Sequence, residues 1–191
     1  MQKNIIISGV GGQGILTMAS IIDLAAMNLG LNVKQAEVHG MSQRGGAVES
    51  HLRISSDEIF SDLIPIGKAD LILSIEPMEA LRYLSFLSPD GVIVTATEPY
   101  INIGNYPDEK DLLDTIAASA KHVFVNADML AKEAGSAKSY NVVMLGAAAP
   151  FLEIPTDELE KAIEMFFSRK GEEIVNMNLK AFRLGLENAS K

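Results

Sequence analysis

The chain has 191 residues, 48% of them hydrophobic, a formal charge of −9 and no cysteine. That length buries a real core and fits one globular unit. An acidic surface without a Lys/Arg stripe excludes nucleic acid as a partner, and a chain without thiols forms no disulfide, thiolate zinc site or iron–sulfur cluster by itself.

Residues Met1 to Asn4 lead straight into a short apolar run, too short for the apolar region of a signal peptide, so the mature chain is expected to start here. Lys3 to Ser8 reads as a buried strand. Next comes Ser8-Gly9-Val10-Gly11-Gly12-Gln13-Gly14, with four glycines between positions 9 and 14. Ile15 to Leu29 has helical spacing at Ile15, Ala19, Ile22 and Ala26, and Gly30 ends it. Asn32 to Val38 is a second strand.

An α/β domain should supply a crossover helix after that strand. Residues 39 to 46 read His-Gly-Met-Ser-Gln-Arg-Gly-Gly instead, with almost no helical period. Ala47 to Ile54 then alternates as a half-buried strand, and Ile59 to Ile64 is expected to pair with it as an inserted hairpin. Asp70 to Ile75, Gly91 to Thr97 and Lys121 to Asn126 read as further strands. One helix begins at Glu76-Pro77 and another at the acidic segment Asp108 to Asp111. The last third is helical: Tyr140 to Phe151, a helix over Leu159 to Phe167 capped by Thr156 or Asp157 with Glu160 at capping-box spacing, and Gly171 to Asn188. The longest low-charge stretch, Tyr140 to Leu152, falls short of the ~20 residues that span a bilayer. A soluble, cytoplasmic protein with no membrane contact is expected. The fold class is α/β: a Rossmann-like, mostly parallel sheet flanked by helices, with the hairpin after the second strand and a helical C-terminal part.

Two segments carry candidate chemistry. Gly9, Gly11, Gly12, Gln13 and Gly14 lie between a strand and a helix, where glycine lets phosphates reach backbone N–H groups at the positive end of the helix. A dinucleotide site also needs a carboxylate at the end of the second strand, and Glu37 is the candidate. Nucleotide binding, another phosphate compound, a partner's loop and plain packing all remain open for this turn. The Gln13 amide suits recognition of a polar ligand, or faces solvent. Ser42, Gln43, Arg44, Gly45 and Gly46 present a guanidinium fork suited to phosphate or carboxylate, or to an ion pair with Glu37 or Glu49. His39, His51 and His122 lack metal-ligand spacing, no Gly-x-Ser-x-Gly elbow is present, and the scattered methionines fill core gaps or an interface.

Taken together, the Gly11-Gly12-Gln13-Gly14 turn, the Arg44-Gly45-Gly46 segment before a strand, and Asn141-Val142-Val143-Met144-Leu145-Gly146 resemble the gamma subunit or domain of the 2-oxoacid:acceptor (ferredoxin) oxidoreductases. Within that family the chain is most similar to the beta subunits of indolepyruvate:ferredoxin oxidoreductases, and the likeness spans residues 1–191 as a single gamma-type domain. The resemblance implies an enzyme that decarboxylates a 2-oxoacid oxidatively, reduces ferredoxin and passes the acyl group to coenzyme A. With no cysteine and no Gly-Asp-Gly thiamine motif here, it implies that thiamine diphosphate, magnesium and the iron–sulfur clusters lie on a large catalytic partner subunit, which also meets ferredoxin. This chain would then carry no catalytic residue and no metal. Its glycine turn and Ser42 to Gly46 would contact coenzyme A or a loop of the partner. A stand-alone NAD(P)- or flavin-nucleotide-binding oxidoreductase is the alternative.

Overall fold

The computed structural model describes residues 1–39, 45–101 and 103–189. Six strands form one sheet: β1 (Gln2–Val10), β2 (Asn32–His39), β3 (Ala47–Ser55), β4 (Ala69–Ser74), β5 (Leu87–Ala96) and β6 (Lys121–Val125), in the order β2-β3-β1-β4-β5-β6. β1, β4, β5 and β6 run parallel, while β3 is antiparallel to both β1 and β2. Ile5, Ile6 and Ile7 at the centre are fully buried, as a strand covered on both faces requires.

The inserted hairpin exists, but its partner strand differs from expectation. Ala47 to Ser55 pairs back onto β2, with Asn32 opposite Ser55 and His39 opposite Val48, and wedges between β2 and β1. Residues 59 to 64 form no strand. Ile59 and Ile64 are buried anchors while Phe60 and Leu63 between them point to solvent, a pattern without the period of two that a ladder needs. The Ile64 N–H donates to His51 Nδ1 at 3.1 Å, so this segment seals a sheet face instead of extending it.

Seven helices cover the sheet. One face carries α1 (Ile15–Asn28), α4 (Ala127–Ala134), α5 (Tyr140–Leu152), α6 (Thr156–Phe167) and α7 (Glu172–Ala189), whose apolar residues join Ile5, Ile7, Leu71 and Leu73 in the larger core. The other face is covered by α2 (Pro77–Arg82), α3 (Glu109–Ser119) and Ile64, packed on Ile6, Ile72 and Ile93. Gly30 terminates α1 in the left-handed region at φ 73°, as its position in the sequence suggests. The α6 start departs from the capping expectation. Pro155 holds the N-cap position and no side chain caps the helix, because the chain enters the helix at Thr156 and leaves Asp157 and Glu160 for other partners, Lys161 and Arg183.

α5 is apolar all round and almost wholly buried, as a helix packed on every side must be. It can sit so deep because its backbone nearly touches that of α7. A Cβ on Gly146 would lie 1.9 Å from the Phe182 carbonyl oxygen, and one on Gly185 would lie 1.9 Å from that of Val143. Neither carbonyl can retreat without breaking its helix. Gly146→Ala is therefore expected to cost about 3 kcal/mol or more, read as a lowered urea midpoint.

Asp23 on α1 is the costly residue of the core. Its Oδ1 is buried with no hydrogen-bond partner, and burial pushes the carboxyl up to about 7. The unfolded chain releases that proton near pH ~3.9. Between these values the folded state binds more protons, so stability is lost as pH rises toward 7. Asp23→Asn should stabilise the fold at pH 8 by roughly 2 kcal/mol once partial solvent screening is allowed for, read as a raised melting temperature, and the gap should close as pH falls toward 4.

Candidate functional site

The carboxyl ends of the parallel strands converge on the turn after β1. Four hydrogen bonds shape it: Gly11 N–H to Gly46 C=O at 2.9 Å, Gln13 N–H to Val10 C=O at 3.1 Å, Val10 N–H to Gln13 Oε1 at 2.7 Å, and Asn141 Nδ2 to Gly14 C=O at 3.3 Å. The first brings the two glycine segments together, as their placement at adjoining strand ends suggests. Gly45 and Gly46 thus border Gly11, whereas Ser42, Gln43 and Arg44 lie outside the described residues.

The glycines have distinct physical causes. Gly14 is the N-cap of α1 at φ 83°, and a Cβ there would lie 2.4 Å from Asn141 Nδ2. Gly9 leaves room for the returning Gln13 side chain, whose Oε1 would lie 2.8 Å from a Cβ at that position. Gly12, at φ 103°, has nothing within 4 Å of where its Cβ would be, so this part of the turn faces open space. Gln13 turns back on its own loop: its carbonyl accepts the Val10 N–H and braces the end of β1, while the residue also lines the adjoining crevice. Asn141 opens the Asn141 to Gly146 segment that carries part of the family resemblance, with no side-chain role read for it from the sequence. Its amide donates to Gly14 and its Oδ1 accepts the Val142 N–H at 3.0 Å, so the start of α5 holds the turn across 127 positions of chain.

Two crevices flank Gly11 and Gly12. The one toward β4, β5 and β6 has a volume of about 370 Å³ and is walled by Gln13, Ile75, Glu98, Tyr100, Asp128 and Tyr140 among others. It contains two carboxylates and two phenols and, among its described lining residues, no cation. Glu98 is engaged by the N–H groups of Ala127 and Asp128, both at 3.3 Å, at the start of α4. Burial, with the nearby charge of Asp128, pushes the Tyr140 phenol up to about 12, so it stays a neutral donor at physiological pH. The crevice toward the hairpin, about 450 Å³, lies over the N-terminus of α1 and meets Gly14, Ile15, Leu16, Glu37 and Val48. The first turn of α1 has no acidic side chain of its own, and Glu37 is the carboxylate of the crevice at its positive end. The two volumes fall within the range of small-molecule sites.

Glu76 was read from the sequence only as the start of a helix. It is fully buried at the end of β4, accepts the Glu79 N–H at 2.8 Å and the Tyr100 N–H at 3.4 Å, and is bonded by the Tyr106 hydroxyl. Burial outweighs these donors and raises its carboxyl above the ordinary range. These bonds tie Tyr106, and Tyr100 on the wall of the first crevice, to the end of β4. Glu37 lies at the end of β2 as expected, but β3 separates β2 from β1. Two strand spacings, about 10 Å, then stand where a dinucleotide site has one. Among the described residues no group of three or more His, Asp or Glu could hold a metal ion, and no helix is long and apolar enough to cross a membrane.

Comparisons with known proteins agree with this geometry. Residues 4–188 match the family Pyruvate ferredoxin/flavodoxin oxidoreductase. The chain is 40% identical over 198 aligned positions to the indolepyruvate oxidoreductase subunit IorB of Archaeoglobus fulgidus, with 99% of this chain and 96% of that protein covered. Among solved structures it resembles the gamma subunit of a keto/oxoacid ferredoxin oxidoreductase from Geobacter sulfurreducens, with a TM-score of 0.72, 28% identity and 98% of each chain covered. It also resembles a 2-oxoglutarate:ferredoxin oxidoreductase from Magnetococcus marinus with 2-oxoglutarate, coenzyme A and succinyl-CoA bound, with a TM-score of 0.79 and 25% identity. There 99% of this chain covers 31% of the longer one.

Gly14→Ala would force a Cβ into both a left-handed backbone and the Asn141 amide. It should destabilise the fold by about 2 to 4 kcal/mol in urea titration, while Gly12→Ala, strained but unobstructed, should cost only about 1 kcal/mol.

Proposed function

The chain belongs to the pyruvate ferredoxin/flavodoxin oxidoreductase family, and on that premise we propose that it is the small, gamma-type subunit of a thiamine diphosphate-dependent indolepyruvate:ferredoxin oxidoreductase, acting as one domain over residues 1–191 in the cytoplasm. The observation that carries this reading is the near-complete coverage, in both directions, of a relative named as an indolepyruvate oxidoreductase subunit. In such an enzyme a 2-oxoacid loses carbon dioxide, two electrons pass through iron–sulfur clusters to ferredoxin, and the acyl group goes to the thiol of coenzyme A. Without a cysteine, this chain cannot supply the thiolates such clusters need. Thiamine diphosphate, its magnesium and the clusters are assigned to the large partner subunit, and no chemical step is assigned to a side chain here.

What this chain's residues fit is an anionic, elongated ligand. The open Gly12 and the N-terminus of α1 suit phosphate oxygens, and Arg44 lies two residues before Gly46, which is bonded to the turn. The crevice beside it, with no cation among its described lining residues, suits a neutral, hydroxyl-bearing part of the same molecule. Coenzyme A has both parts, and Gly9, Gly11 to Gly14 and Ser42 to Gly46 are its proposed contacts. A second reading, in which the turn receives a loop of the large subunit, is favoured by the exposed apolar residues Tyr100, Ile101 and Ile103 at the crevice rim.

Arg44→Ala separates the two in the reconstituted enzyme. Coenzyme A binding predicts a KM for coenzyme A raised about tenfold or more with subunit association unchanged, since a charge-assisted phosphate contact contributes on the order of 1.5 to 3 kcal/mol. Partner docking predicts weakened association in sedimentation with KM unchanged in the complex that remains. No change in either measurement removes both readings. Ferredoxin reduction should also show its highest kcat/KM with indolepyruvate when that substrate is compared with pyruvate and 2-oxoglutarate.

A further inference from the structure

The loop from Ser56 to Lys68 presents three large apolar side chains to water: Phe60 is 86% exposed, Ile66 73% and Leu63 51%. Such a cluster is uncommon on a surface with no partner. This loop is also held firmly. Arg53 donates to the carbonyls of Ser61 at 2.9 Å and Leu63 at 3.4 Å, and to Asn4 Oδ1 at 2.9 Å. Asn4 in turn donates to the Lys68 carbonyl at 3.1 Å, and Ile59 and Ile64 are buried beneath the loop. The knuckle is therefore ordered before any partner arrives, which lowers the entropy lost on docking. Ile66 continues it into a surface groove of about 680 Å³ bordered by Leu84, Leu87, Pro89 and Ala120.

The charges around the knuckle select its occupant. Asp57, Glu58 and Asp62 are exposed within it, answered by Lys68 alone in the same loop. In a two-fold contact between copies of this chain the same patch would face itself, setting each cluster of three carboxylates against its duplicate. A different chain, apolar at the centre and basic at its edge, has no such penalty.

We propose that the Phe60–Leu63–Ile66 knuckle and its groove are the surface by which the large catalytic subunit grips this chain, meeting an apolar depression rimmed by lysine or arginine. This rests on the subunit reading above. The groove lies at the amino ends of β4, β5 and β6, and Asn4 near the start of β1 holds the loop, so the surface sits at the end of the sheet opposite the glycine turn. A large partner seated there leaves both crevices open to a small ligand.

The test measures association of this chain with its large subunit in the assembled enzyme, using the double variant Phe60→Ser/Ile66→Ser and, separately, Glu58→Lys/Asp62→Lys. Both pairs are solvent-facing, so the melting temperature of the free chain should stay within a few degrees of wild type. The expected result is a Kd raised at least 50-fold by the serine pair and about tenfold by the lysine pair, with the latter loss growing at low ionic strength. Wild-type affinity in the serine variant overturns the proposal. So does a free wild-type chain that sediments as a dimer and is split by the same substitutions while binding to the large subunit is unchanged, since the surface then belongs to a second copy. If wild-type chain itself fails to bind the large subunit, the subunit reading falls and takes this proposal with it, a result distinguishable because it needs no variant.

Discussion

The arrangement of the site depends on a contact far from it, the backbone-to-backbone approach of α5 and α7 at Gly146 and Gly185. Glycine inside a helix costs about 1 kcal/mol relative to alanine, so two such positions facing each other need a reason. The reason is depth. With no Cβ on either side, α5 lies close enough to α7 for the whole apolar circumference of α5 to be buried, and its first turn reaches the end of β1. There the Asn141 amide closes on Gly14, so the shape of the glycine turn is set by a helix contact at the other end of the chain.

The two crevices that result differ in their walls. On the hairpin side are the positive end of α1, glycine backbone and Glu37; on the strand side are Glu98, Asp128 and two phenols. Glu76 and Glu98 are both consumed in holding backbone N–H groups, which is why carboxylates can sit at strand ends without being reactive. The missing thiols are consistent with a division of labour in which electron transfer belongs to another chain.

Much of the sheet was legible because buried strands announce themselves as short apolar runs: Lys3 to Ser8 lies within β1, and Asp70 to Ile75 and Lys121 to Asn126 coincide with β4 and β6 except for their last residue. The alternation of β3 was legible too, but not its neighbours, since a period of two says which face is buried and nothing about which strand lies alongside. Ile59 and Ile64 carry the right residue types for a strand, yet only their buried spacing shows them to be anchors. α4 went unread because eight residues are too few for a clear helical period. The glycine turn was visible as a motif, whereas the roles of Gln13 and Asn141 were not, because both depend on where a side-chain amide points. Glu76 gave a local signal, the proline after it, and its buried strap to Tyr106 had none.

The wedging of β3 between β1 and β2 also bears on how the chain is made. β1 precedes β2, β3 and β4 in the chain, and its Ile5-Ile6-Ile7 run has no partner on either edge until they emerge. One edge waits for the β2–β3 hairpin, a local unit that can form by itself once residue 55 has emerged, and the other waits for β4, completed at residue 74. Until then this buried central strand is an open template for pairing with other chains. The nascent subunit is thus most exposed to aggregation early in synthesis, and the hairpin's insertion is what ends that interval on one side.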